Sequence, residues 1–408
     1  VIMKKVRDIF CVLLLLCTTM SCENWLDVDP KTEIKSELMF QSVSGFKDAL
    51  MGVYLTLRDP ELYGKEATWG FVDAIGQQTD IQDQAAAYYN ASRYNYSQTS
   101  GVSDALWAKA FNAIVNLNNM LENLDKQQNL FTPATYGVLK GEALGLRAFL
   151  HFDLVRLFGW GNLAKKPENL EKLCMPYMTK YDKVLTKQLT VGEVLAHIEE
   201  DLLASIELLN NSDPYGLAPK QDDYDLPNED KFFDNREKRF NYWAAVCTLT
   251  RVYMWMGRKG EALTLAKSFI DKGGRTSWID SYTIDAYYEK DRDLTFSREH
   301  VFALDIAELF ESVKHYIDPN ANKPNRNADL LYHSSERANK LFEAVNGVST
   351  DYRYKRWYNK VNDFFDGWAF YKYWEVEEYS HGSVLPLIRK PEMYYMAAEC
   401  LLETGNDA

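Results

Sequence analysis

The sequence predicts a mostly α-helical protein with helical hairpins and a long loop-rich insertion, and three observations carry that reading. Apolar residues recur at helical spacing through several long segments, a Thr-x-x-Glu capping box opens one of them, and two apolar helices close on glycine. With 408 residues, 46 % of them hydrophobic, the chain can bury a sizeable core. Its 46 Lys+Arg against 59 Asp+Glu give a net charge of −13. No basic block breaks that acidity, which argues against nucleic acid as a partner. Aromatic residues make up 14 %, with 26 Tyr and 10 Trp, more than one core needs. Rings with polar tips favour half-wet surfaces where ligands bind.

The first element is a signal peptide over residues 1–21, because Lys4, Lys5 and Arg7 precede the apolar run Ile9 to Leu16, followed by Thr18, Thr19, Met20 and Ser21. The run is too short for a spanning helix, which needs about 18 residues or more. Cys22 directly follows in lipobox fashion, so it is expected to be the lipidated first residue of a tethered protein. Val1 and Ile2 ahead of Met3 mark an uncertain start. Residues 22–408 are read as one domain, its N-terminal and helical-repeat region running to about residue 271.

The clearest helix runs from Ser103 to Asp125, with Trp107, Phe111, Ile114, Leu117, Leu121 and Leu124 on one face. A second covers about Thr135 to Phe158, with Leu146, Leu150, Leu154 and Leu157 on one stripe and Gly159 stopping it. The third opens at Thr190, whose capping box closes on Glu193, and carries Leu195, Ile198, Leu202, Ile206 and Leu209. A polar, Pro-containing surface loop follows from Asn210 to Arg236. Trp243 to Asp271 reads as a hairpin, with Tyr253, Gly257, Gly260 and Ala262 spaced as in a tetratricopeptide unit. The less regular insertion runs from Lys272 to Leu387, and the last helix from Glu392 to Glu403 ends before Gly405.

Beyond the signal segment the cysteines are Cys22, Cys174, Cys247 and Cys400, and they form no disulfide framework. Cys247 and Cys400 sit in apolar helical patterns and are expected in the core. The scan for catalytic motifs is negative, and no histidine has metal-ligand spacing. No metal or cofactor is expected. Gly159 to Ala164 fits a dinucleotide fingerprint only superficially, since it follows a helix instead of a strand. Asp318, Asn320 and Asn322 alternate as in a calcium loop, but Lys323 and Asp329 stand where Gly and Glu are required, so a solvated turn is the better reading.

Taken together, several segments resemble the SusD/RagB family of surface nutrient-binding lipoproteins. Near the N-terminus these are Cys22, Trp25-Leu26-Asp27-Val28 with Pro30, then Phe40, Ala49, Gly52 and Tyr54. Trp107 with Phe111 and Ile114 follows. More specific are Leu146-Arg147-Ala148-Phe149 and Leu154-Val155-Arg156-Leu157-Phe158-Gly159. Arg251-Val252-Tyr253 with Ala262 and Ala266, the strand-like Glu299 to Ala303, Asp351 with Arg353, and Pro386-Leu387-Ile388-Arg389 through Ala397-Ala398-Glu399 complete the set. Family members continue past this last helix, whereas the chain stops at Ala408. The helix from Glu392 is therefore expected to carry an uncovered apolar patch.

The resemblance implies a non-enzymatic binder in the outer membrane. It would capture oligosaccharide at the cell surface and deliver it to a SusC-like TonB-dependent transporter, held to outer-membrane lipid through Cys22. It also implies where the sugar-facing rings lie, namely in the loop before the Trp107 helix and in the insertion after the Phe302 segment. This chain offers Tyr88, Tyr89, Tyr316 and Tyr332 there, with Trp69 and Asn90 near in sequence, and the tyrosines are expected to converge on one exposed face. Trp278, Tyr282 and Tyr287 are assigned to packing. Three alternatives stand beside this reading: a peptide-binding member of the same family, a lipid-anchored glycoside hydrolase, and a tetratricopeptide scaffold.

Overall fold

Ser42 caps the first long helix among the described residues, α1 (Val43–Leu57), its Oγ accepting from the Gly45 N–H at 3.2 Å. The computed structural model describes residues 38–273, 276–318, 329–362, 365–374 and 383–403. The expected signal segment, Cys22, Trp25 to Pro30, Asn320, Asn322 and Gly405 lie outside the described residues. After α1 come the short α2 (Phe71–Ile75), then α3 (Ser100–Lys126) and α4 (Pro133–Phe158). Thr132 caps α4 and Pro133 fills its first turn, where a missing N–H costs nothing. The helix α5 (Val191–Ser212) carries the capping box in full: Thr190 N–H donates to Glu193 at 2.8 Å and Glu193 N–H returns to Thr190 Oγ1 at 3.3 Å.

Most of α4 is buried on every side, which makes it the central helix of the core. Its glycines recur every fourth residue toward α5 and Phe240. A Cβ on Gly137 would lie 2.0 Å from Ser212 Oγ, and one on Gly145 would lie 2.1 Å from Phe240 Cε1, so only glycine lets these segments approach so closely. Arg147 of α4 crosses to Asp201 of α5 through two N···O contacts of 2.7 Å and donates to Asn118 Oδ1 of α3 at 2.9 Å. The family-like Leu146-Arg147-Ala148-Phe149 segment is therefore a three-helix knot.

The hairpin of α6 (Tyr242–Met256) and α7 (Lys259–Lys272) turns at Gly257, whose φ of +75° disfavours any side chain. Between α5 and α6 the expected surface loop is anchored inward. Arg236 is buried between Glu142 and Asp213, and Arg239 Nε meets Glu142 at 2.9 Å. A buried guanidinium needs both carboxylates, so the loop cannot lie wholly on the surface.

The insertion holds more regular structure than its sequence suggests. It contains β1 (His300–Asp305), α8 (Leu309–Ile317), β2 (Tyr332–His333), α9 (Ser335–Leu341), α10 (Tyr352–Arg356), β3 (Tyr358–Asn362), β4 (Phe365–Phe370) and β5 (Val384–Arg389). β1 pairs antiparallel with β5, and β2, β4 and β3 form a second antiparallel sheet in that order. The last helix, α11 (Lys390–Glu403), buries Met393, Met396, Ala397 and Cys400 and packs on α7. Its apolar face is thus covered, which corrects the expected open patch. Tyr395 and Leu402 remain exposed on its outer side. Cys247 and Cys400 are buried free thiols, as expected.

Candidate functional site

The loop before α3 and the insertion after β1 meet in space, although some 250 residues separate Asp80 from Ser334 in sequence. Asp80 N–H donates to the Tyr332 carbonyl at 2.8 Å, Ser334 N–H donates to Asp80 Oδ2 at 2.8 Å, and Arg337 Nη1 reaches Asp80 Oδ1 at 2.9 Å. Burial alone would raise the Asp80 pKa. The Ser334 N–H and the Arg337 guanidinium overcome that and hold it below the usual carboxylate range. A second tie runs from Ala87 N–H to Asp329 Oδ1 at 2.8 Å, with His315 Nε2 on the other oxygen at 2.7 Å.

Of the expected ligand rings, Trp69, Tyr88 and Tyr316 converge. Tyr316 lies 5.5 Å from Trp69 and 5.9 Å from Tyr88, centroid to centroid, and Lys65 sits 5.0 Å over the Tyr316 ring. The exposure expected of them does not hold: Trp69, Tyr88 and Tyr332 are only 3 %, 5 % and 7 % exposed. The cause is their polar tips, which find partners inside the protein. Trp69 Nε1 donates to the Gly64 carbonyl at 3.1 Å, and the Tyr88 hydroxyl donates to Glu66 at 3.1 Å. Burial and the Glu66 charge push the Tyr88 pKa far up. Tyr89, Asn90 and Tyr316 are half-buried, with Arg93 over the Tyr89 ring at 5.4 Å and Asn95 Nδ2 donating to Asn90 Oδ1 at 3.2 Å. Tyr332 packs separately with Leu330 and Ala369. Conversely, Tyr282 and Tyr287, assigned to packing, are 87 % and 90 % exposed, and Trp278 is exposed as well.

A cleft of about 470 Å³ opens between the α2 region and the three-stranded sheet. Trp69, Phe342, Trp357, Tyr358 and Phe370 supply its aromatic rings, and Asp73, Arg337 and Arg353 its charges. Gln78, Thr79 and His333 add uncharged polar groups. Burial, with Arg337 beside it, pushes the His333 pKa down to about 4, so the ring is neutral at pH 7. Two buried polar atoms on its lining residues, Thr79 Oγ1 and His333 Nδ1, have no hydrogen-bond partner among the described residues. Buried polar atoms of this kind are uncommon in native proteins, and two of them fall on one cleft wall.

Two further cavities follow in series, one sharing walls with the cleft and the next sharing walls with that one. One, of about 250 Å³, shares Trp69 and Asp73 with the cleft and adds Asp153, Arg156, Arg251 and Lys372. The other, of about 380 Å³, shares Tyr63, Ala67, Asp153 and Arg156 with that second cavity and opens beside the exposed Tyr94 and Tyr96. Sequence reading missed Thr79, His333, Arg337, Trp357 and Lys372. The dense aromatic and basic run from Arg353 to Trp374 was the available signal. Among the described residues no group of three or more His, Cys, Asp or Glu could hold a metal ion. None of the described helices is long and apolar enough to cross a membrane.

Helical hairpins around a long central helix, joined to an insertion that closes a mixed aromatic and polar cleft, define a SusD-like architecture. A SusD superfamily protein from Bacteroides thetaiotaomicron superposes with a TM-score of 0.67 at 20 % identity, over 90 % of this chain and 77 % of that one. A SusD-like carbohydrate binding protein from Bacteroides vulgatus does so with a TM-score of 0.63 at 17 % identity, over 90 % and 72 %. Residues 24–221 match the SusD-like family model described as "Starch-binding associating with outer membrane". The SusD-like proteins P25 and P38 of Formosa agariphila are each 26 % identical, over 45 % and 49 % of this chain. These stretches span 36 % and 37 % of the two relatives' own lengths, about a third. Over residues 24–221 the chain is thus similar to the SusD-like family, and its fold is the one those solved SusD superfamily structures share.

Proposed function

We propose that this protein binds oligosaccharide without catalysis in the cleft between the α2 region and the three-stranded sheet. In this reading it is anchored to the outer membrane by lipid on Cys22 and passes its ligand to a SusC-like TonB-dependent transporter. The observation that carries the proposal is the pairing of aromatic walls with unsatisfied polar atoms, Thr79 Oγ1 and His333 Nδ1, on residues lining one cleft. Sugar rings present apolar C–H faces to aromatics and hydroxyls to polar groups, so a cleft of both kinds suits them. Its volume of about 470 Å³ lies in the range of small-molecule sites. Trp69 is a wall of the cleft, Tyr89, Asn90 and Tyr316 are the half-exposed contacts, and Tyr88 and Tyr332 act by holding the two loops in register.

Calorimetry with maltohexaose, xylohexaose and mannohexaose tests this. Thr79→Val and His333→Leu should leave the fold intact and weaken binding by about tenfold or more each, the scale of one buried hydrogen bond to ligand. Affinity unchanged in both variants would remove the cleft from the site. Reducing ends released by the wild type would end the non-catalytic reading, and tight binding of peptides with none of sugars would transfer the site to a peptide ligand. Mass spectrometry of the mature N-terminus decides lipidation at Cys22.

A further inference from the structure

The cavity of about 250 Å³ beside the cleft holds two charged groups with no counterpart among the described residues. Asp73 reaches it from α2 and Lys372 from the turn after β4. Neither has an ion pair or side-chain hydrogen bond among the described residues, and the two lie beyond ion-pair reach of each other. Lys372 only overlies the rings of Trp357 and Tyr373, at 5.2 and 5.0 Å. The other charges of the cavity are matched: Arg156 pairs with Asp153, and Arg251 pairs with Glu392 at 2.6 Å. A half-buried carboxylate and ammonium left apart, with open space between them, are costly unless something bridges them. Their environment records that cost. Burial pushes the Asp73 pKa up to about 6, with Lys372 opposing in part, and burial followed by Arg389 pushes Lys372 down to about 7, with Asp73 opposing.

We propose that Asp73 and Lys372 clamp adjacent hydroxyls of one sugar residue, the carboxylate accepting from one O–H and the ammonium donating to the neighbouring oxygen. The inference rests on the oligosaccharide reading and deepens it to neutral sugars with a free vicinal diol. A hydroxyl is both donor and acceptor, so a diol satisfies both charges at once and adds none of its own. An anionic ligand would meet Asp73, and a cationic one Lys372, each with like charge. Because Asp73 also lines the larger cleft, the clamped residue belongs to the same chain of sugars held there.

The test is calorimetry with maltohexaose, xylohexaose and mannohexaose, each also opened at its diols by periodate and then reduced with borohydride, and with hexagalacturonate as the anionic comparison. Asp73→Asn and Lys372→Met should each weaken the best neutral ligand by about tenfold or more, as for a lost hydrogen bond to a charged group. Periodate treatment should weaken it similarly, and Tyr282→Ala, at an exposed residue that lines neither the cavity nor the cleft, should change nothing. Wild-type affinity should peak where Asp73 is ionised and Lys372 still charged, between pH about 6 and about 7, and fall on both sides. Asp73→Asn should remove the acid limb and Lys372→Met the alkaline one. Facing these groups are Arg389, Tyr373, Tyr358 and, across the cavity, Asp153, Arg156 and Arg251; His333, at about 4, stays neutral through that window. The wild-type profile needs no variant to fold. A flat profile with both variants binding as wild type overturns the clamp and leaves the oligosaccharide reading standing. Hexagalacturonate bound more tightly than every neutral probe also overturns it, and no binding of any probe overturns both.

Discussion

Arg251 holds Glu392 through a two-pronged ion pair, Nε and Nη2 each 2.6 Å from a carboxylate oxygen, and Nη2 also donates to the Leu387 carbonyl at 2.8 Å. One guanidinium thereby joins α6, the end of β5 and the first turn of α11. Planar forks of this kind fix orientation as well as distance.

Arg251→Met should therefore loosen α11 before anything else. A broken buried pair costs about 3–5 kcal/mol, and because the Glu392 side chain keeps 34 % of its exposure the loss here should be nearer 1–3 kcal/mol. Hydrogen exchange should speed first over residues 390–403. Protection there equal to wild type would count against the pair as the clasp of this helix.

Glu142 receives Tyr54, Arg236 and Arg239 in a network that also contains Asp213 and is buried except at Arg239, which is half-buried. Removing one member strands the others without solvent. Glu142→Gln or Arg236→Met should cost about 3–5 kcal/mol in urea unfolding, with the loop between α5 and α6 released to protease. Loss below about 1 kcal/mol would mean the site is wetter than its burial indicates.

His151 is buried and neutral. Its Nδ1 lies 2.8 Å from the Arg147 carbonyl and its Nε2 accepts from the Met178 N–H at 3.2 Å, so a second proton would meet an N–H donor. Burial, followed by the Arg147 charge, pushes its pKa from 6.5 down to about 3. A depressed histidine means that the unfolded chain binds more protons between those values. Stability is thus full above pH 6.5 and falls as pH drops toward 3, by a few kcal/mol in all, roughly. His151→Phe should start lower at pH 7, with the Met178 N–H unpaired, yet lose less on acidification; parallel pH curves for the two proteins would refute the assignment.

Gly145→Ala separates packing from propensity by sign. Alanine favours a helix interior by about 1 kcal/mol over glycine. Here its Cβ would meet Phe240 Cε1 at 2.1 Å and Ser205 Oγ at 2.7 Å, so the protein should be destabilised by about 1–3 kcal/mol instead. A raised melting temperature would show that Phe240 can move aside.

The helices were legible because their signals are local: the Thr190 and Glu193 reciprocal cap, the apolar stripe from Ile114 to Leu124, and Gly257 in its left-handed turn. Of the strands only β1 was anticipated, as the strand-like Glu299 to Ala303 of the family resemblance. β2 has two residues and its pairing with Trp368 and Ala369 depends on chain folded from elsewhere, which no window of sequence contains. Ring exposure was read the wrong way round for the same reason. Whether Tyr88 faces water depends on Glu66, 22 positions away, and Tyr282 lies exposed on a short helix, Ser281–Ile284. The meeting of the two loops was anticipated from the family resemblance, but Asp80, which effects it, was not.

Asp80 gives that meeting a consequence for measured affinity. The cleft exists only in molecules whose two loops are docked, and this single residue holds Tyr332 through its backbone N–H and Ser334 and Arg337 through its carboxylate. Apparent dissociation constants then equal the intrinsic value divided by the docked fraction. Asp80→Asn would act on that fraction without touching the ligand, slowing capture and weakening every sugar by one common factor. Selectivity would stay the same while affinity drifts, so changes in this chain could retune how much ligand is held without retuning which.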